Sequence, residues 1–581
     1  MVTNKRIILF LLAMTAVMSA LAQVFDTSSS EQHPPKYEVR AVWLTTIGGI
    51  DWPRTKATSP QMAELQRQEL CRVLDRLQQG GINTVLLQTR VRATTIYPSR
   101  LEPWDACLTG TASRSPGYDP LQFAIDECHR RGMELHAWLV TMPIGKWNGA
   151  GCRAVRQIHP TIVKKIGQDG FLNPEKPQTA DYVADVCEEI TRRYDVDGIH
   201  LDYIRYPDEW RITVPRQQGR ENITRIVRTV YSRVKNIKPW VKLSSSPVGK
   251  YKDLTRYSSR GWNAFDKVCQ DAQGWLREGI MDALFPMMYF RGDQFYPFAV
   301  DWAENTYGRI VVPGLGVYFL DEARWPLTDI TRELHFLRQL GLGHCYYRSQ
   351  FYTNNTKGLY TYVTREIDRY PALVPPMTWQ SQTPPRQPEN LTVSPQSDGS
   401  VSLSWTHAGN PSDISFNIYA STEYPVDITD ARNLIATRRQ QPSLVIPTRN
   451  SAGLYYAVTA TDRYGLESQP LNFPSQRSPL SGWGEEWLAE SSAAPLLLVG
   501  SGETLQLPSR IGTVDCDYII VETLQGTIIH SQRMPRSGSR SFGEQRGVVI
   551  DISRVPEGFY CLRSIGKKNR QHRLGFFMVK R

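Results

Sequence analysis

The chain has 581 residues, a formal net charge of +11, 41% hydrophobic residues and 22% charged ones. This length is too great for one compact core, so roughly two to four domains are expected. The balance describes ordinary globular protein, and the charge is read as uniform basicity, with attraction to an anionic surface such as a cell wall as the alternative. No Arg/Lys-rich helix or finger spacing points to nucleic acid.

The chain opens with "MVTNKRIILFLLAMTAVMSALAQ". Lys5 and Arg6 precede an apolar run that ends in Ala20-Leu21-Ala22, so residues 1–22 are expected to be a signal peptide removed after export. No later segment is long and apolar enough to span a bilayer. The expected product is periplasmic, outer-membrane-associated or secreted, without membrane insertion after cleavage. Nine cysteines show no C-x-x-C pair and no ligand spacing. Neither a disulfide framework nor a metal site is expected, and no organic cofactor is implied.

From residue 36 to 372, short apolar strands alternate with amphipathic stretches of helical period. Strand candidates begin at Val39, Ile82, Glu134, Asp197, Lys242, Asp282, Arg309 and Gly343. Eight strands, each followed by a helix, predict a (β/α)8 barrel. The alternative is an open doubly wound sheet, which would usually carry a glycine-rich nucleotide turn after its first strand. "TTIGGIDWP" is not such a turn. A proline-rich linker, "PALVPPMTWQSQTPPRQPEN", follows. Residues 385–474 then alternate with period two and predict a β-sandwich. Trp405 on an early strand and "YYAVTATDRYG" on a late one resemble a fibronectin type III domain. Residues 486–581 are again strand-rich, with a hairpin expected to turn at Gln525-Gly526. The ending "VVIDISRVPEGFYCLRSIGKKNRQHRLGFFMVKR" resembles the C-terminal sorting domains of the type IX secretion route, beside a plain second sandwich.

The stretch "DGIHLDYIRYP" carries two carboxylates and a histidine in what otherwise reads as a buried strand. Side chains alternate along a strand, so Ile199 and Leu201 face the helices while His200 and Asp202 face the barrel interior. Asp202 lies at the carboxyl end, the rim where active sites of this fold lie. Asp197 enters at the opposite end and is expected to be structural. Glycoside cleavage needs a proton donor and a second carboxylate as nucleophile or base. Asp202 is the candidate for the second role and Glu102 for the first, with Asp208, Glu209 and Asp293 as competing acids. Arg90, Trp104, Trp138, His200, Tyr203 and Tyr289 gather near strand ends as candidate substrate-binding residues. Aromatic faces take the apolar faces of sugar rings, and fixed polar groups read the hydroxyls. The D-G-x-x-x-D spacing resembles the DGxRxD motif of the alpha-amylase superfamily, with His200 in the place of its arginine.

The segments "EVRAVWLTT", "NTVLLQTRVRATTIYPSRLEPW", "GYDPLQFAIDECHRRGMELHAWL", "DGIHLDYIRYP" and "KPWVKLSSSPVGKY" occur in order and resemble the glycosyl-hydrolase-like family 10. The resemblance implies an exported bacterial (β/α)8 glycosidase. Cell-envelope glycan strands (peptidoglycan) and alpha-glucans are its implied substrate classes. Asp202 matches the family's strand-four aspartate, and Glu102 matches the glutamate of its "EPW" motif. Tyr203 stands where some members have a second acid, and Phe290 where many have tryptophan. Two rival readings remain: a non-catalytic glycan-binding protein and an envelope structural protein.

Overall fold

The computed structural model describes residues 34–257, 259–447 and 454–473, with strands and short connections between 497 and 580. The expected signal peptide, residues 1–22, lies outside them. The first strand, β1 (Arg40–Leu44), is followed by β2 (Thr84–Val91), β3 (Glu134–Val140) and β4 (Gly198–Asp202). Next come β5 (Lys242–Ser246), β6 (Ala283–Leu284), β7 (Ile310–Val311, continued at Gly314–Leu315) and β8 (His344–Tyr346). Each pairs in parallel with its neighbours in sequence, and β8 returns to β1 through Arg40↔His344 and Ala41↔Cys345. The ring therefore closes as a (β/α)8 barrel. Closure survives the break in β7, where Pro313 has no N–H to give, because the amides of Val312 and Gly314 reach the carbonyls of Leu284 and Pro286.

Helices return the chain between strands: α1 (Pro60–Gln79), α2 (Pro120–Arg130), α3 (Gln178–Arg193) and α4 (Arg216–Ile237). The first two start on side-chain caps followed by proline. Ser59 accepts from the amide of Met62, and Asp119 from those of Leu121 and Gln122. Strand alternation then sorts the apolar residues into two cores. Val42, Leu44, Ile199 and Leu201 join the strand–helix layer. Ala41, Trp43, Leu86, Trp138 and Phe285 fill the barrel itself.

Two sheets follow the barrel. Glu389–Pro395, Val401–Thr406 and Ser443–Ile446 form one. Leu434–Arg439, Ser415–Ser421, Tyr455–Thr461 and Leu471–Phe473 form the other. They enclose Leu403, Trp405, Ile418 and Val458 as a sandwich core. The sandwich is seated on the amino-terminal end of the barrel. Arg438, in the left-handed backbone region with φ 51°, sends its guanidinium to Glu134 and Asp197, at 2.6 Å from each. Asp197 also accepts from His129 at the end of α2 and from the amide of Leu135, while Glu134 pairs with Lys242. Burial alone would raise the Asp197 carboxyl, but Arg438 and His129 outweigh it and hold the group well below its usual range. The approach is so close that a Cβ on Gly132 would meet the Thr437 carbonyl oxygen at 2.5 Å. Trp379 of the linker donates to Asp282, closing the same end.

The C-terminal region is a separate compact unit. Its five-stranded sheet runs Leu497–Ser501, Gln571–Lys580, Gly558–Gly566, Cys516–Thr523, Ile528–Arg533. Leu505, Val521, Ile550 and Leu562 lie in its core. Cys516–Thr523 and Ile528–Arg533 pair antiparallel, and the turn expected at Gln525-Gly526 lies outside the described residues. Among the described residues no helix is long and apolar enough to cross a membrane.

Removing a shared cation leaves the two buried carboxylates it neutralised under-compensated. Arg438→Ala and Arg438→Gly are both expected to cost the barrel–sandwich unit about 3–5 kcal/mol in denaturant unfolding. The glycine variant relieves the left-handed backbone, so recovery of stability there would assign the loss to conformation instead of charge.

Candidate active site

The parallel register stacks inward residues in layers. Val140 pairs with Asp202 and Asp202 with Ser246, at the carboxyl-end rim; Trp138, His200 and Ser244 form the layer below. His136 and Lys242 flank Gly198 in the next layer, where a Cβ on Gly198 would press to 2.6 Å from the His136 ring. On the side of β3, β4 and β5, the barrel interior beneath the rim is thus polar.

Asp202 is half-buried and held by three donors from three strand ends. The Trp138 indole donates to Oδ2 at 3.0 Å, the Ser246 hydroxyl to Oδ1 at 2.7 Å, and the Tyr203 amide to Oδ1 at 2.8 Å. Burial raises the carboxyl above its usual range, against the pull of these donors and of Arg205. Tyr203 sits at φ 57°, turning the chain off the strand so that its own amide points back at the carboxylate it follows.

His200 is fully enclosed. Its Nε2 accepts from the Trp43 indole at 3.3 Å, which requires the proton on Nδ1, and Nδ1 donates to the Ser244 hydroxyl at 2.9 Å. Burial holds it well below the usual histidine range, with a smaller push from His136. Against the expectation that His200 touches substrate, both of its ring nitrogens are engaged inside the barrel. It supports Trp43 instead. Trp43 leads to a cluster of rings at the rim, with centroids 6.4 Å from Tyr289 and 5.9 Å from Tyr347, and Tyr289 lies 5.3 Å from Tyr347. Burial pushes the Tyr347 hydroxyl up to about 12, and the Asp202 charge adds to it.

Glu102 is placed elsewhere. Its carboxylate is wholly enclosed, gripped by Arg90 at 2.6 Å and by the Tyr182 hydroxyl of α3 at 2.6 Å. Arg90 is equally fixed, its other arm donating to the carbonyl of Thr141 at 3.1 Å. Both side chains are closed off from solvent. The cause is a register shift between Gln88 and Arg90 in β2, which turns Arg90 out of the barrel toward α3. Trp104 packs against the strand–helix core. Trp138 orients Asp202, and Tyr203 is tied through its hydroxyl to Asp208 at 3.0 Å. Of the competing acids, Asp208 also pairs with Arg205 at 2.6 Å, while Glu209 and Asp293 are exposed.

Several site residues were missed in the sequence. Ser246 reads as an ordinary strand residue and Trp43 as core. Asp51, beyond a glycine turn after β1, accepts from the Thr45 amide and hydroxyl and pairs with Arg348 after β8 at 2.5 Å. The glycine turn itself was the available signal for Asp51.

Residues 38–217 and 214–314 match the family described as glycosyl hydrolase-like 10. The chain is similar to "Glycosyl hydrolase YngK" of Bacillus subtilis (strain 168), 28% identical over 518 residues, 81% of this chain and 98% of that protein. It is also similar to "Glycosyl hydrolase DigH" of Escherichia coli (strain K12), 28% identical over 297 residues, 43% of this chain and 65% of that protein. Among solved structures, an alpha-L-fucosidase isoenzyme 2 from Paenibacillus thiaminolyticus aligns at a TM-score of 0.38 and 15% identity, covering 56% of this chain and 49% of that one.

Because Glu102 anchors Arg90, Glu102→Ala is expected to lower stability by about 3–5 kcal/mol in thermal or denaturant unfolding. Asp202→Asn, at a half-open rim, should leave the unfolding transition within about 1 kcal/mol of wild type. Equal stability of wild type and Glu102→Ala would remove the anchoring role.

Proposed function

We propose that this protein is an exported glycoside hydrolase that cleaves O-glycosidic bonds of a polysaccharide, with Asp202 as nucleophile or base. Cell-envelope glycan strands are the substrate class, and an alpha-glucan is the alternative. The observation that carries this reading is the clamp on Asp202: a carboxylate at the rim of a closed barrel, oriented by Trp138, Ser246 and the Tyr203 amide. A carboxylate so held costs no reorganisation as positive charge develops on a sugar ring above it. The rings of Tyr289 and Tyr347 beside it, backed by the buried Trp43, supply apolar faces suited to a pyranose. The matches to glycosyl hydrolase-like sequences support the same reaction class. The signal-peptide pattern supports export, and the sandwich is read as fibronectin type III-like, holding the barrel in place.

With Glu102 enclosed, the proton donor is assigned to a loop carboxylate, one of Asp208, Glu209 and Asp293. A donor is dispensable when the leaving group departs unaided. The variant among Asp208→Asn, Glu209→Gln and Asp293→Asn that loses polysaccharide cleavage but still hydrolyses aryl glycosides with good leaving groups identifies it. The enclosure of Glu102 also favours a second reading, a barrel that binds glycan without cutting it. Incubating the purified chain with denuded peptidoglycan strands and with alpha- and beta-glucans, then weighing released fragments by mass spectrometry, separates the two. Product from wild type and none from Asp202→Asn is expected; no product from any glycan leaves the binding reading.

The pH profile gives a second check. Each donor to the carboxylate favours its charged form, so removing one raises its pKa further. In Trp138→Phe, the acid limb of kcat/KM is expected to move to higher pH than in wild type. An unmoved limb would mean that Asp202 is not the group titrating there.

A further inference from the structure

Trp262 is the tryptophan left exposed among the described residues, with 47% of its surface open. It sits on the loop that leaves β5, at the same end of the barrel as Asp202. An exposed indole usually signals either a mobile loop or a binding face, and the loop here is pinned. The Asp253 carboxylate accepts from the Gly261 amide at 3.1 Å and from the Asn263 side chain at 3.2 Å, the two residues flanking Trp262. Asn263 in turn caps the helix Ala264–Lys267, accepting from the amide of Asp266. The backbone on both sides of the ring is therefore fixed.

One side of the indole is also occupied. The Arg205 guanidinium lies 5.2 Å from the Trp262 ring and 4.0 Å from the Tyr203 ring, so it is sandwiched between the two. Arg205 is itself buried at 4% exposure and clasped by Asp208 at 2.6 Å. A planar cation between two rings is attractive and stiffens all three groups. Tyr203 directly follows Asp202 and gives it an amide hydrogen bond, so carboxylate, phenol, guanidinium and indole form one continuous rigid row. The row ends at Trp262, whose side chain is partly open to solvent.

We propose that the open face of Trp262 is a sugar-stacking subsite. It takes a pyranose unit of the glycan flanking the unit at Asp202, and Arg205 holds the indole in place. The proposal rests on the glycan reading of the barrel and extends it along the chain of the polymer. Aromatic faces bind pyranose rings through the ring's apolar C–H face, so a subsite of this kind adds affinity and sets register without touching the bond that breaks.

The test uses the full-length chain and oligosaccharides of defined length: denuded peptidoglycan fragments and maltohexaose. In an Asp202→Asn background, Trp262→Ala is expected to weaken binding of the recognised oligosaccharide about tenfold by calorimetry, and Trp262→Phe by less than about threefold. In the active chain, Trp262→Ala should raise KM about tenfold and leave kcat within about twofold. Shortening the oligosaccharide to two units should erase the difference between wild type and Trp262→Ala. Binding and KM unchanged in Trp262→Ala overturn the subsite, even if Asp202→Asn abolishes cleavage. Weakened binding in Trp262→Ala, with cleavage intact in Asp202→Asn, keeps the subsite and overturns the catalytic assignment instead.

Discussion

Residues paired in register on parallel strands point to the same side, so the inward side chains of β3, β4 and β5 lie beside one another, and most of them are polar. From the amino-terminal end upward, Glu134, His136 and Lys242 are followed by His200 and Ser244, then by Asp202 and Ser246. Groups of this kind are tolerated in an interior only when each is paired. Register sets His200 beside Ser244 and Asp202 beside Ser246, and Lys242 reaches from the next row to Glu134. The last layer differs because it reaches solvent, so the same pairing that stabilises the lower layers orients a carboxylate at the surface.

The lower end of the column is completed from outside the barrel. Glu134 and Asp197 accept Arg438 from the sandwich. A second domain that supplies the counter-charge of two buried carboxylates is part of the barrel's electrostatics and not a loosely tethered appendage. Arg463 repeats the theme with Asp195 nearer the surface. The two ends of the barrel thus divide the work. One end is sealed by arginine; the other is left with an oriented carboxylate and a border of aromatic rings.

The contrast between Glu102 and Asp202 shows how local geometry separates two similar carboxylates. Both lie near strand ends with tryptophan and arginine close in sequence. Glu102 faces the strand–helix layer, where Arg90 and Tyr182 saturate it. Asp202 faces the axis, where its donors leave one side toward the rim. The difference follows from a shift of register in β2 that turns Arg90, and with it Glu102, away from the axis.

The amino-acid sequence alone determined the period of the chain: eight apolar strands separated by helices, and the alternation that sends His200 and Asp202 inward while Ile199 and Leu201 face the helices. Those features are local, set by side-chain spacing along one strand, and so are legible without partners. Only the tertiary structure decided which inward groups meet. Ser246, Trp138 and Asp202 are scattered over 109 positions and converge through register across three strands. The β2 shift that removed Glu102 leaves no mark on composition or periodicity. Arg438 comes from another domain altogether, and nothing local links it to Asp197. Spacing along a strand is encoded in neighbouring residues, whereas pairing between strands is settled by the closure of the whole ring.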